Sequence, residues 1–165
     1  MTIKLEAAFH EAGHAVMAYL SSYHLQAGPI QLEAYGPGEA YVGLIPSKLE
    51  AAGLEASNKI TTKPEVARDL GKILVAGFIA EQIASESDKS LTPNPACAKP
   101  DHELTVQQLT GAGLSRKYDK LESEARAELE ANWVVVKELA EWLFQKRTAE
   151  YTEINDFISA RILHR

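Results

Sequence analysis

His10, Glu11 and His14 form the pattern His-Glu-x-x-His. On a helix, two histidines four residues apart stand one above the other on one face, so both imidazoles can reach a single tetrahedral zinc. Glu11 is rotated about 100° from His10, outside the metal's ligand shell but near a water held at its open position. The chemistry this suits is metal-assisted hydrolysis, with Glu11 as the base. These three are also the strongly polar residues of an otherwise apolar run from Ala7 to Leu20. Buried imidazoles and a buried carboxylate need partners, which a hydrated zinc supplies together. The competing structural reading is a metal-free pair of core histidines with Glu11 in an ion pair.

A catalytic zinc takes three protein ligands and leaves one position to water. A third histidine six residues after His14 is absent, since Leu20 stands there, which excludes the metzincin pattern. Asp101, His102, Glu81 and Cys97 remain as candidates. Asp101 reads equally as an N-cap at a loop-to-helix junction, and His102 as a surface histidine. Glu81, in an apolar helix, could be a ligand or could hold a ligand histidine through its free N–H.

Several elements must position these groups. The segment from Glu6 to Ser21 is apolar on every side and predicts a buried helix. Ile30, Leu32 and Ala34 alternate with polar residues, and Gly36-Pro37-Gly38 turns the chain into Ala40–Ile45, predicting a hairpin closed by Pro46. Thr62, Pro64 and Glu65 predict a capping-box start to a helix over 63–85. Three prolines between Ser87 and Pro100 predict a long irregular loop, followed by a helix from Asp101 to about Thr110. The stripe Leu121, Ala125, Leu129, Trp133, Val136, Ala140, Leu143 predicts one long amphipathic helix over 118–146, with Glu122–Arg126 and Lys137–Glu141 as helix-spaced pairs. A short helix over 152–163 ends a mainly α chain with one small β-hairpin.

The chain has 165 residues, which fits one domain spanning 1–165. With 23 acidic against 17 basic residues its net charge is −6, opposite to a nucleic-acid footprint. A single cysteine excludes a disulfide framework and a Cys-rich zinc finger and points to a cytoplasmic setting. The longest apolar run, Ile73–Ala80, is far short of the roughly 20 residues of a membrane span.

Ala8-Phe9-His10-Glu11-Ala12-Gly13-His14-Ala15-Val16 resembles the protease domain of FtsH-type ATP-dependent zinc metalloproteases, whose signature is HEAGHA. Gly36 to Pro46 is similar to that family's glycine-containing hairpin, and Val75 to Glu81 to its Gly-Arg-x-Ala-Glu helix, with Phe78 in place of the arginine. Ala98-Lys99-Pro100-Asp101 falls where the family has Ala-Ser-Asn-Asp, whose last residue is its third zinc ligand. Trp133 to Ile158 is like its terminal helices. The resemblance implies a zincin-like helical metalloprotease domain in which His10, His14 and Asp101 hold Zn²⁺ and Glu11 takes a proton from the attacking water. No Gly-x-x-x-x-Gly-Lys-Ser/Thr phosphate loop occurs in the chain. The expected substrates are therefore peptides or flexible, unfolded protein segments, with a homo-oligomer or a separate AAA ATPase chain as partner. The alternative is a zinc-binding, catalytically weak regulatory or partner module of such a protease system.

Overall fold

The computed structural model describes residues 3–32, 42–57 and 59–162. Among them are seven α-helices and two small antiparallel sheets of two strands each. The helices are α1 (Leu5–Leu20), α2 (Pro46–Ala51), α3 (Pro64–Ser87), α4 (Pro95–Gly111), α5 (Tyr118–Ala131), α6 (Trp133–Lys146) and α7 (Tyr151–Ile162). The strands are β1 (His24–Gln26), β2 (Ile30–Gln31), β3 (Val42–Leu44) and β4 (Thr148–Ala149). No helix among the described residues is long and apolar enough to cross a membrane.

α1 lies at the centre because its apolar residues cover its whole circumference, and Ala7 to Ala18 are buried except Glu11. It packs closely on α3 and on α6, where Phe9 stacks on Trp133 with ring centroids 5.6 Å apart. Gly13 permits the close approach to α3: a Cβ there would lie 2.6 Å from the Ala76 carbonyl oxygen and 2.7 Å from the Ala80 Cβ. α4 and α5 pack on other sides of α3, so α3 bridges the central helix and the outer layer.

Five local expectations are corrected. The alternation at Ile30–Leu32 marks a strand, but β2 pairs with β4, while β3 pairs with β1, so the segments do not form one hairpin; its turn and the Ala40–Tyr41 half lie outside the described residues. Thr62 is not an N-cap. It sits in a 3₁₀ turn with its hydroxyl donating to the Lys59 carbonyl (2.7 Å), because Pro64 takes the first helical position, where its missing N–H costs nothing. The proline-rich segment is largely helical: Asn94 caps α4 by accepting from the Ala96 N–H (3.1 Å), Pro95 opens the helix, and Pro100 stands inside it.

The long helix is two, broken at Asn132. The Asn132 side chain donates to the Glu128 carbonyl (2.9 Å), and its own carbonyl receives the N–H groups of Val135 and Val136. A side chain that competes for backbone groups thus interrupts an unbroken apolar stripe. Lys137 does approach Glu141 (3.9 Å), but Arg126 turns from Glu122 to Glu130 and Glu86.

Candidate metal centre

α1 presents His10 and His14 one turn apart, with ring centroids 4.6 Å apart and the rings nearly perpendicular. Each Nδ1 is held by α3. His14 Nδ1 lies 2.7 Å from the Ile73 carbonyl oxygen, and His10 Nδ1 lies 2.7 Å from Glu81 Oε2. A carbonyl only accepts, so His14 carries its proton on Nδ1 and a neutral His14 turns an unprotonated Nε2 inward. The Glu81 carboxylate accepts from His10 Nδ1 in the same way, so that when His10 gives up its Nε2 proton to a metal it is Nε2 that is left facing the ligand position.

Ile73, Gly77 and Glu81 occupy successive turns of one face of α3. Gly77 sits between the two bonds: a Cβ there would lie 2.5 Å from His14 Nε2 and 2.7 Å from His10 Nε2. Only glycine leaves the imidazoles their place.

Asp101 closes the cluster from α4. Its Oδ2 lies 3.1 Å from His10 Nε2 and 3.2 Å from His14 Nε2. The other oxygen of Glu81 accepts the Asn94 N–H (3.2 Å), which pins the start of α4. Asp101 follows seven residues later, about two turns on and on the same side of the helix. It stands within α4 and is not the cap, a role Asn94 fills. Thr105 donates its hydroxyl to the Asp101 carbonyl (2.7 Å) and so braces this turn.

His10, His14 and Asp101 are 4%, 2% and 3% exposed, and Glu81 is 1% exposed. Burial alone would lower the His10 pKa, but its hydrogen bonds to Asp101 and Glu81, with the charge of Glu11 nearby, carry it up to about 10. Burial likewise works against ionised Asp101, yet the two imidazoles bring it down to about 2. The surroundings therefore call for positive charge at the point where the three side chains meet.

The residues fit a divalent metal. One donor atom from each lies within 4.8 Å of the others, and all three are acceptors once Nδ1 of each histidine is protonated. Ligand atoms around tetrahedral zinc are separated by about 3.3 Å, close to the two Nε2–Oδ2 distances. Asp101 Oδ1 is buried and lacks a hydrogen-bond partner among the described residues.

No protein-family model and no curated protein matches this chain. The reading of the site accordingly stands on its geometry.

Glu11 is half-buried on α1, and its side chain has no hydrogen-bond or ion-pair partner among the described residues. His102, the neighbour of Asp101, is exposed and turned outward, its Nδ1 2.7 Å from the Tyr118 hydroxyl. Cys97 lies apart from the cluster and receives a hydrogen bond from Asn94 Nδ2 (3.2 Å).

Beside Asp101 a cavity of about 500 Å³ opens between α3, α4 and α5, bounded by Leu74, Phe78, Ile79, His102, Tyr118 and Glu122 among others. Burial, helped by the charges of Glu122, Asp101 and Asp119, pushes the Tyr118 hydroxyl up to about 12, so it stays neutral. Sequence reasoning missed Gly77, the Ile73 carbonyl, Asn94 and Tyr118. The four-residue spacing of Ile73, Gly77 and Glu81 was the available signal for the first two.

Proposed function

We propose that this chain is a zinc-dependent metallopeptidase domain of the FtsH type, with His10, His14 and Asp101 as metal ligands. The observation that carries the reading is the convergence of two Nε2 atoms and a carboxylate oxygen on one buried point. Zinc, when bound, would supply a Lewis acid that polarises a peptide carbonyl and acidifies a water at neutral pH. Glu81 and the Ile73 carbonyl hold the imidazoles in the tautomer that turns Nε2 to the ligand position. Glu11, next to His10 and with its carboxylate uncommitted, accepts the attacking water's proton and passes it to the nitrogen of the leaving amine.

β3 has a partner, β1, on one side only among the described residues, and its other edge suits an extended substrate strand. Strand addition reads backbone and needs an unfolded segment, so peptides and flexible tails fit this reading. Folded substrates would require a separate ATPase chain.

The test is a metal count on protein purified without chelator, followed by peptide hydrolysis with wild type and Glu11→Gln. We expect one zinc per chain in both proteins and a loss of roughly 100-fold or more in kcat for the variant. A chain that binds no zinc overturns the reading. Zinc with equal turnover in the two proteins removes Glu11 from the mechanism, and zinc with no turnover in wild type leaves the binding-module alternative.

A further inference from the structure

The cavity beside Asp101 continues into a second one of about 350 Å³ along α3 and α5, and Ile79 and Glu122 belong to both. The first is walled mainly by apolar side chains of α3 and the ring of Tyr118. The second is polar, with Gln82, Asp119, Ser123 and Arg126.

Glu122 is the half-buried carboxylate at their junction; no salt bridge to it forms among the described residues, and the one group that favours its charge is the ring of His102, which lines the first cavity and is hydrogen-bonded to Tyr118. Its helix-spaced neighbour Arg126 is committed to Glu86 (2.5 Å) and Glu130 (2.7 Å). Lys99, at the rim of the first cavity, is largely exposed and faces Glu103 at 4.0 Å. The cleft therefore joins an apolar wall to an acid that no lysine or arginine of the described residues pairs, a few side chains from Asp101. A plain hydrocarbon side chain would fill the wall and leave that carboxylate without a partner; a long side chain ending in a cation satisfies both.

We propose that this cleft selects substrates carrying an arginine or lysine next to the bond that is cut, its aliphatic stem against Leu74, Phe78 and Ile79 and its cation on Glu122. The aromatic faces of Phe78 and Tyr118 suit a guanidinium in particular. The position next to the cut bond rests on the peptidase reading, whereas recognition of the side chain does not.

The experiment has a binding arm and a cleavage arm. Binding of acetyl-arginine amide and of its uncharged counterpart acetyl-norleucine amide to the full chain is followed by NMR titration. We expect arginine to bind about tenfold more tightly and Glu122→Gln to bring that ratio to about one, with Glu122→Asp recovering part of it. Equal binding of the two probes to wild type, or a ratio that Glu122→Gln leaves in place, overturns the proposal.

In the cleavage arm, peptides differing only by arginine or norleucine compete for the wild-type enzyme. Cleavage without preference overturns the proposal while leaving the peptidase reading intact. Selective probe binding without any cleavage supports the cleft and defeats the peptidase reading.

Discussion

The proton on each histidine decides what the site can hold. His10 and His14 both spend Nδ1 on α3, one on a carboxylate and one on a backbone carbonyl, and so turn the same ring nitrogen toward Asp101. Glu81→Gln tests how far this matters. A carboxamide oxygen still accepts from Nδ1, but it carries no charge, and the amide nitrogen would then face the Asn94 N–H that the second carboxylate oxygen now accepts. Zinc affinity should fall by about 10- to 100-fold, read by competition with a chromophoric chelator; unchanged affinity would mean that Glu81 does not tune the ligand. The histidine pair was legible in the sequence because its spacing is local. Asp101 was not singled out by spacing, since it lies 87 residues beyond His14 and meets it only through packing. The Ile73 carbonyl was invisible for a different reason: a backbone acceptor leaves no mark in the residue type.

At the scale of elements, each helix that carries a ligand is anchored away from the ligand. α1 ends where the Lys48 ammonium, reaching back from α2, donates to the carbonyls of Ala18, Tyr19, Ser21 and His24, at 3.4, 3.3, 2.8 and 2.5 Å. A cation at a helix C-terminus satisfies carbonyls that have no partner in the helix and complements its dipole. Asp69, on α3, accepts from the Ser21 hydroxyl and lies 2.6 Å from His24 Nδ1, tying the same turn to the helix that orients the imidazoles. Lys48→Met keeps the aliphatic stem and removes the donor, and should cost about 1–3 kcal/mol in urea unfolding with little change in the zinc count. An unchanged midpoint would show that water caps these carbonyls equally well. The errors in reading the elements share a physical cause. Prolines at 95 and 100 resemble a loop until one of them is seen at the first helical position, where its fixed φ helps. The apolar stripe through Asn132 is continuous because the two helices on either side both face the core, and periodicity does not register a break between them.

For the molecule as a whole, the candidate metal site and the hydrophobic core occupy the same place. The candidate ligands come from two helices, α1 and α4, that both pack on α3, so a metal that binds the folded chain and not the unfolded one adds directly to stability. Free zinc at about a hundred times Kd should contribute about 2.7 kcal/mol and raise the thermal midpoint by roughly 5–10 °C over chain refolded in chelator. Identical midpoints would separate the cluster from metal binding. Gly77 sets a further property of the arrangement. With no side chain between α3 and the imidazoles, both rings lie against the backbone of α3, and all three candidate ligands are almost fully covered. Their places are therefore set by helix packing and not by side chains that swing freely. A change that loosens the contact of α1 with α3 should shorten the dwell time of a bound zinc, so that zinc loss to a chelator and hydrogen exchange of the α1 amides quicken together.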